Sequence, residues 1–427
     1  MKQPVFAPAI AALILSFAAG AVRAQVDAEV LAQAKANKQP MLETLKDVVG
    51  IESGSRDLAG LDKLANLIGA RLKSLGGDVQ LVDAAEIYKM EDTPETIGKA
   101  VRATFTGKGT KKILLIAHMD TVYQKGMGEK QPFRIEGDKA YGLGIADDKQ
   151  GIAMIVHVIG MLNALGFKDY GTLTVLINPD EEISSPGHRA LITRLGSESD
   201  AVMSFEATRS YSDKLSLATA GIASVTLRVK GRASHAGSSP EKGINSLYEL
   251  SHQILQLKDL SEPATGLKLN WTLAKAGMNR NVIPPEAEAQ ADVRVLKVSD
   301  YDRIEQTVRE KVKTQLVPDA RVEVIFERRR PPLEAPPASQ AMGRHAQAIY
   351  KELGKDLVID PIAEGGGTDA AFAALKASGP VIERWGVQGF GAHSTDAEYI
   401  LIDNIEPRLY LATRMIMDYS RGKVPVQ

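Results

Sequence analysis

The pattern of apolar residues in the first half of the chain predicts strands that alternate with helices. Largely apolar runs occur at 113–117, 173–177 and 201–205, and polar residues follow each of them. Such runs are typical of strands buried on both faces of a parallel sheet. Between the first two, residues 151–165 place apolar side chains at helical spacing. We therefore expect an α/β domain with a mostly parallel central sheet.

The pattern changes near Leu215, where apolar and polar residues begin to alternate. The stretch 219–230 (TAGIASVTLRVK) alternates as a half-exposed antiparallel strand does. The segments that follow predict a helix, two strands, a helix and a strand, at 243–258, 267–275, 286–295, 300–316 and 321–326. This β-α-β-β-α-β order is typical of a ferredoxin-like α+β domain.

A proline-rich stretch at 330–337 ends this second unit and indicates a stiff return hinge. A helix-like segment, the sequence EGGGTDA and the sequence GAHS follow it. The histidine of GAHS cannot form a site alone, so this last part must rejoin the first domain, and the second unit is an insertion. The predicted division is a signal peptide at 1–24, a catalytic domain at 25–214 and 330–427, and an inserted lid and dimerisation domain at 215–329.

The N-terminus has the features of an export signal. Lys2 gives a short positive start, an apolar stretch covers 9–22, and small residues surround the end of Val22-Arg23-Ala24. We predict a cleavable signal peptide and a periplasmic or secreted mature protein. A retained membrane anchor is the alternative, which the shortness of the apolar stretch disfavours.

Composition narrows the range of partners. Lys and Arg number 52 against 53 Asp and Glu, a balance that argues against nucleic acid or an anionic membrane as the partner. The chain contains no cysteine, so an exported protein of this sequence depends on its core and not on disulfides. The same absence excludes thiolate metal ligands and a cysteine nucleophile.

Histidine and carboxylate residues follow the apolar runs in five short motifs. The five candidate metal ligands are His118 in AHMD, Asp147 in GIADDK, Glu182 in NPDEE, Glu206 in SFE and His393 in GAHS. Two imidazoles and three carboxylates suit a pair of zinc-like ions when one carboxylate bridges them. Open α/β sheets bind ligands at the carboxyl ends of their strands. The set predicts a dinuclear centre for metal-assisted hydrolysis.

Each motif taken alone has a simpler explanation. An H-x-D pair such as His118 and Asp120 is often structural, although both side chains point to one face of a strand and can hydrogen-bond there. The Asp147-Asp148 pair is also typical of a solvated helix cap, and residues 180–182 (DEE) of a solvated loop. Three adjacent carboxylates after a buried strand, however, repel one another strongly without a cation nearby. The agreement in order, placement and ligand count favours one metal site.

These motifs, with several others, resemble the zinc aminoacylase and carboxypeptidase family. The shared segments are AHMDTVY, GIADDK, NPDEE, SFE, GRASHAG, NWTLAKAG, NVIP, ADVR, GGGTDAA and GAHS, and they extend over nearly all of the chain after residue 24. Within the family the chain is most similar to the folate-hydrolysing glutamate carboxypeptidases. The resemblance implies two zinc ions per subunit and a homodimer.

The resemblance also implies a role for each residue of the centre. One zinc would be held by His118, Asp147 and Glu206, and the second by Asp147, Glu182 and His393, with a cis peptide between Asp147 and Asp148. Glu181 would be the general base and acid, and Asp120 would orient His118.

For the substrate, the resemblance implies contacts from the insert and from the hinge. His235 of the partner subunit would stabilise the oxyanion, and Asn281, Arg294 and the backbone around Gly366 would lie near the substrate. The planar fork of Arg294 suits a terminal carboxylate, and a surface ion pair is the alternative. The positions that match contacts to an acidic side chain are Lys214, Ser216 and Arg330.

Two segments depart from the family pattern. Gln150 stands where a glycine is usual after DDK, and the loop after Glu182 reads ISSPGHRA where a shorter Gly-Ser pattern is common. We interpret both as bordering the entrance to the site, so they bear on substrate range and not on catalysis.

The sequence therefore predicts a hydrolase that cleaves the amide bond to a C-terminal amino acid, preferably glutamate, of an N-acyl, peptidyl or folate-type substrate. A broad N-acyl amino acid amidohydrolase or dipeptidase is the first alternative. A non-catalytic exported binding protein on the same scaffold is the second. Such a protein is expected to have lost a ligand or Glu181, and the sequence retains all of them.

Overall fold

The computed structural model describes residues 25–363, 365–394 and 398–425. The predicted signal peptide at 1–24 lies outside the described residues. Among the helices of the described ranges, none combines the length and the apolar character that a membrane span requires.

The helices of these ranges are distributed along the whole chain. They are α1 (Ala28–Val49), α2 (Leu58–Ser74), α3 (Gln150–Ala164), α4 (Arg189–Ser197), α5 (Ser246–Leu257), α6 (Ser299–Lys311), α7 (Pro337–Glu352), α8 (Asp369–Ala374) and α9 (Ile405–Ser420).

The strands of the described residues fall into two large sheets and two small ones. They are β1 (Asp78–Val82), β2 (Ala100–Thr106), β3 (Lys112–His118), β4 (Arg134–Glu136), β5 (Lys139–Tyr141), β6 (Thr172–Asn178), β7 (Ala201–Ser204), β8 (Lys214–Ser216), β9 (Gly221–Lys230), β10 (Lys268–Ala276), β11 (Glu286–Val295), β12 (Arg321–Arg330), β13 (Val358–Asp360), β14 (Val381–Ile382), β15 (Gly389–Phe390) and β16 (Tyr399–Leu401).

The largest sheet has the strand order β1-β2-β6-β3-β7-β14. Strands β6, β3, β7 and β14 run parallel, whereas β1 and β2 are antiparallel additions at one edge. Leu115 of β3 packs into a core formed with α1, α3 and α9. Its neighbours Leu114 and Ile116 point to the other face and pack with α4 and α8. Burial on both faces explains the continuous apolar runs, and the predicted α/β class is confirmed.

The second sheet has the order β10-β11-β9-β12, and all of its pairings are antiparallel. Helices α5 and α6 supply Leu250 and Ile304 to a separate core beneath it. Every second residue of β11 is buried, which accounts for the alternation in the sequence. The chain order and sheet order are those of the ferredoxin-like arrangement. Its strands extend from Gly221 to Arg330, and the role of this unit as a lid stays a prediction.

The two small sheets were not predicted. Strands β15, β16, β5 and β4 form one of them in that order, and β8 pairs in parallel with β13 to form the other. Each of these strands has two or three residues, too few for a period of two to be recognised. They matter because they carry residues 389–390, just before the GAHS motif, and 214–216.

Candidate metal centre

The central strands bring most of the predicted ligands to one edge of the sheet. His118 is the last residue of β3, Glu182 lies in the short turn after β6, and Glu206 follows β7 by two residues. Because β6, β3 and β7 are parallel neighbours, their carboxyl ends lie side by side. Asp147 comes from the turn before α3, and His393 from the loop after β15.

The two histidines lie on opposite oxygens of Asp147. His118 Nε2 is 3.3 Å from Asp147 Oδ1 and 3.6 Å from Glu206 Oε1. His393 Nε2 is 3.2 Å from Asp147 Oδ2 and 3.2 Å from Glu182 Oε2. The structure thus brings all five predicted ligands together, in the two groups that the resemblance implies. The Asp147–Asp148 peptide is cis.

Burial and neighbouring charge shift the pKa values of the carboxylates in this centre in opposite directions. Burial raises the pKa of Glu182 to about 8. Burial also raises the pKa of Asp147, but hydrogen bonds with His118 and His393 and the charge of Arg209 hold it well below its usual range. Hydrogen bonds with Asp147 and Glu182 raise the pKa of His393 to about 10. Positive charge therefore stabilises the buried carboxylates.

The donor set fits divalent cations. Ligand atoms of His118, Asp147 and Glu182 all lie within 4.8 Å of one another. Glu182 Oε1 is buried and has no hydrogen-bond partner among the described residues, and such an atom is costly unless a cation or a donor reaches it. Imidazole nitrogen and carboxylate oxygen are ligands that zinc accepts.

Asp120 holds two parts of the centre at once. Its Oδ1 lies 3.4 Å from His118 Nδ1 and accepts the backbone N–H of Glu181 at 3.0 Å. Its Oδ2 accepts the backbone N–H of Glu182 at 3.0 Å and the hydroxyl of Ser55 at 2.8 Å. The sequence predicted the contact with the imidazole, whereas the contacts with the Glu181-Glu182 backbone depend on how β3 and β6 lie together.

Glu398 fixes the loop that presents Asp147, and sequence reasoning missed it. Its carboxylate accepts the backbone N–H groups of Gly144, Ala146 and Asp147 at 2.8, 2.9 and 3.1 Å. It also accepts the hydroxyl of Tyr123 at 2.6 Å. These partners lie at least 251 positions from Glu398 along the chain, so no local motif marks the contact.

The prediction that Gln150 borders the entrance is wrong. Gln150 is fully buried, and its Nε2 donates to Asp148 Oδ1 at 2.6 Å and to the carbonyl of Phe205 at 2.7 Å. Its Oε1 accepts the N–H of Val387 at 2.9 Å. The amide can donate and accept, and it joins Asp148 to two strand ends beneath the centre.

Glu181 is held by Arg330. The guanidinium donates to the Glu181 carboxylate and to its backbone carbonyl, and also to the carbonyl of Gly367 at 3.3 Å. Burial raises the pKa of Glu181, and the neighbouring Arg330 opposes that shift. Arg330 was predicted to lie against an acidic substrate side chain, but it is buried here with Glu181 as its partner. Ser216, predicted beside it, is also fully buried.

Two other predicted substrate contacts, Lys214 and Arg294, pair with residues outside the predicted ligand set. Lys214 Nζ is 3.4 Å from Asp360 Oδ2 across the β8–β13 pair. Arg294 pairs through two nitrogens with Asp292 at 2.9 and 3.0 Å, and its Nη1 donates to the carbonyl of Gly365 at 2.7 Å. Strand β11 of the insert therefore contacts the glycine-rich loop next to Gly366.

His235 and Asn281 lie on neighbouring backbone segments of the insert, joined by a bridge between His235 and Val282. The carbonyl of Asn281 accepts the N–H of Ala236 at 2.9 Å, and His235 Nδ1 accepts the N–H groups of Gly237 and Ser238 at 3.1 Å each. Neither side chain contacts a predicted metal ligand within the part of this chain that the structure describes.

Arg209 is a residue of the centre that the sequence did not reveal. Its Nη2 is 2.7 Å from Asp147 Oδ2 and 3.8 Å from Glu206 Oε2, while its side chain remains 43% exposed. The position three residues after Glu206 is the only sequence signal, and a cation there indicates nothing without the fold.

Comparison with known proteins gives a family for this geometry. Residues 114–418 match the family described as "Peptidase family M20/M25/M40". Carboxypeptidase G2 of Pseudomonas sp. (strain RS-16) is 44% identical over 425 residues, which cover 99% of this chain and 100% of that protein. Acetylornithine deacetylase of Photorhabdus laumondii is 28% identical over 276 residues, 60% of this chain and 68% of that enzyme.

A solved structure supports the fold independently. A tripeptidase of Staphylococcus aureus superposes with a TM-score of 0.71 at 19% identity, over 90% of this chain and 99% of the tripeptidase. The predicted family and enzyme class are confirmed, and the protein is a hydrolytic metallo-carboxypeptidase. The chain belongs to peptidase family M20/M25/M40.

Proposed function

We propose that this enzyme releases a C-terminal amino acid, preferably glutamate, from N-acyl or peptidyl substrates, including those of folate type. The observation that carries the proposal is Asp147 set between His118 and His393, with Glu181 buried beside Glu182. The full-length similarity to Carboxypeptidase G2 supports the carboxypeptidase reaction.

The cofactor we propose is a pair of zinc ions per subunit. His118, Asp147 and Glu206 would hold one ion, and Asp147, Glu182 and His393 the other. When bound, such ions lower the pKa of water and polarise a carbonyl oxygen. The observation in support is that the two oxygens of Asp147 face different histidines, which suits a bridging carboxylate.

The chain supplies the proton transfers through Glu181. Its carboxylate would take a proton from the attacking water as the carbon–oxygen bond forms, and would give it to the leaving amine as the carbon–nitrogen bond breaks. Arg330 keeps this carboxylate in place, and Asp120 keeps its backbone in place. The pKa of Glu181 is raised by burial, which brings a carboxyl group closer to the range useful for general catalysis at neutral pH.

We assign substrate recognition to basic side chains of the insert and of its boundary with the first domain. Arg294 would bind the terminal carboxylate, since its fork is suited to one and its side chain is part-exposed beside Gly365. Asn281 and the backbone of Gly366 would complete this end of the site. The acidic side chain is assigned to Lys214, whose ammonium lies at the edge of the β8–β13 pair.

The enzyme we propose is a homodimer in which His235 of one subunit stabilises the oxyanion in the other. Within one subunit His235 lies on the insert and contacts none of the described ligands. Strand β10 is an outer strand of its sheet, and Leu273 on it is 62% exposed. An exposed strand edge with apolar residues is a surface suited to pairing with a second copy.

The location we propose is the periplasm or the exterior of the cell, and the partner is the small-molecule substrate, with no nucleic acid and no membrane. The N-terminal sequence pattern supports the location, and the near balance of charge supports the choice of partner.

A substrate panel tests the proposal. The purified enzyme is given a folate, N-acyl-glutamate, N-acyl-alanine and the C-terminal amide of N-acyl-glutamate, and kcat/KM is measured for each. We expect the glutamate substrates to be preferred over alanine and the C-terminal amide to be poor, because it lacks the carboxylate for Arg294. Equal kcat/KM for N-acyl-glutamate and N-acyl-alanine would contradict the proposal and favour a broad amidohydrolase.

Two variants separate recognition from catalysis in the same panel. Loss of one partner of a desolvated charge pair costs about 2–5 kcal/mol, so Lys214→Met should lower the preference for glutamate over alanine. Arg330→Met should lower kcat/KM for the glutamate and alanine substrates alike, because Arg330 holds Glu181. A preference that Lys214→Met leaves intact would remove the assigned recognition of the acidic side chain.

A further inference from the structure

The turn that carries Glu181 and Glu182 is followed by two residues of unusual backbone conformation. Ser184 and Ser185 have φ angles of 72° and 49°, the left-handed region that residues with a side chain seldom adopt. The carbonyls of both accept hydrogen bonds from the side chain of Arg189, the first residue of α4. Such a conformation persists only where neighbouring groups hold it, and Arg189 is one of the groups that hold it here.

The same guanidinium also binds the insert. Its Nη1 donates to the carbonyl of Arg328 at 3.2 Å, and its Nη2 donates to the carbonyl of Arg329 at 2.9 Å. These two residues precede Arg330, the last residue of β12. Arg330 in turn donates to the carboxylate and to the backbone carbonyl of Glu181. Arg189 therefore joins the turn of Glu181 to the strand that brings Arg330 to it.

The loop between β1 and β2 covers this joint from outside. Tyr88 of the loop places its ring centroid 4.1 Å from the guanidinium carbon of Arg189, and Asp92 of the loop lies 2.7 Å from Arg329 Nη2. The ring of Phe372 lies on Arg189 as well, at 4.8 Å. The two rings and the carbonyls of two segments thus fix the plane of the guanidinium.

Arg189 has no opposite charge to explain its position. Within the part of the chain that the structure describes, every oxygen that accepts a hydrogen bond from this side chain is a backbone carbonyl. Burial lowers the pKa of Arg189 to about 10, which reflects the cost of a part-buried cation. A charge placed at such a cost without a carboxylate partner indicates a role beyond packing.

We propose that Arg189 is a positioning residue for the reaction, because it sets the place of Arg330 against Glu181 and thereby the orientation of the Glu181 carboxylate. This inference rests on the role of Glu181 in the proposed function, and it does not depend on which amino acid is released. Arg189 itself moves no proton. Its planar fork serves two segments at once, whereas a lysine ammonium is a single point charge.

Steady-state kinetics of single variants give the first test. We would measure kcat and KM for the wild type, Arg189→Lys and Arg189→Met at equal zinc content, with the best substrate of the panel above. We expect kcat to fall about tenfold to a hundredfold in both variants and KM to change by less than about twofold, because a misplaced catalytic group slows the chemical step. Normal kcat in both variants, or a loss confined to KM, would overturn the proposal.

A stability control separates positioning from a general weakening of the fold. Ile192 is a fully buried residue of the same helix, and Ile192→Ala should lower the temperature of unfolding without lowering kcat. A kcat that falls as far in Ile192→Ala as in the Arg189 variants would overturn the proposal. Arg189→Lys is the milder exchange, and it carries the test if Arg189→Met does not fold.

A double-mutant cycle tests whether Arg189 acts through Arg330. Because the two residues are proposed to act as one unit, Arg189→Met combined with Arg330→Met should be no slower than Arg330→Met alone, within about twofold. Losses in kcat that multiply in the double variant would overturn the proposal. The cycle also separates this inference from the proposed function. A non-additive cycle in an enzyme that prefers alanine over glutamate removes only the proposed specificity, whereas an additive cycle in an enzyme that prefers glutamate removes only the role of Arg189.

Discussion

At the scale of single residues, the centre is a group of buried carboxylates whose charge is balanced by the side chains around them. Asp147 contacts His118, His393 and Arg209, so three groups capable of positive charge surround one carboxylate. The positions of the predicted ligands followed from short motifs, since histidine and acidic residues at strand ends are visible in the sequence. Arg209 did not, because its role depends on where the turn after β7 places its side chain.

We expect Arg209 to compete with metal ions for Asp147, because its Nη2 lies 2.7 Å from Asp147 Oδ2. We predict that Arg209→Met binds zinc roughly twofold to fivefold more tightly than the wild type, since a part-exposed ion pair contributes up to about 1 kcal/mol. The metal-free variant should also unfold at a lower temperature, because the carboxylates lose a cationic partner.

The measurement is zinc titration by calorimetry, together with thermal unfolding of the metal-free proteins. Arg309→Met is the matched control, since Arg309 is 47% exposed and pairs with Glu305 on the insert. Zinc affinity unchanged in Arg209→Met, or changed equally in the control, would show that Arg209 does not act on the metal ligands.

At the scale of elements, the long strands and helices were predictable and the short ones were not. Strands β3, β6 and β11 extend over 7, 7 and 10 residues, enough for burial to produce a clear pattern in the sequence. Strands β15 and β16 have only 2 and 3 residues. Phe390 and Tyr399 lie on these short strands with ring centroids 5.4 Å apart, and this contact was therefore not anticipated.

The turn that carries Asp147 depends on a single distant side chain. Glu398→Ala removes the acceptor of the N–H groups of Gly144, Ala146 and Asp147. We predict a loss of about 2–3 kcal/mol in the free energy of unfolding, because buried donors are left without partners. The measurement is denaturant unfolding of the metal-free protein. Glu398→Gln keeps one acceptor oxygen, so its free energy of unfolding should fall less. Equal losses of stability in both variants would contradict this account of the turn.

At the scale of the whole molecule, the fold gives most of the site but leaves His235 apart from it. The parallel sheet holds the ligands and Glu181, and the insert presents Arg294 to the glycine-rich loop. The sequence predicted this two-part arrangement from the change in periodicity near residue 215. It could not predict which insert residues meet the ligands, because that depends on the relative placement of two cores.

Subunit complementation tests whether His235 acts across the dimer. Glu181→Gln and His235→Ala proteins should each be nearly inactive, with losses of about 10²–10³-fold or more. A mixed dimer should regain activity at one of its two sites, because the Glu181→Gln chain supplies an intact His235 to the Glu181 of the other chain. Mixed dimers as inactive as the two parents would place His235 in its own subunit's site or outside catalysis.

The central claim is that Glu181, beside a two-metal centre, moves the proton in hydrolysis of an amide to C-terminal glutamate. The most direct test measures glutamate released from an N-aroyl-glutamate by the wild type and by Glu181→Gln, with zinc content determined on the same samples. We predict two zinc ions per chain in both proteins, and a rate lower by about 10²–10⁴-fold or more in the variant. Near-normal glutamate release by Glu181→Gln with both ions bound would contradict the claim.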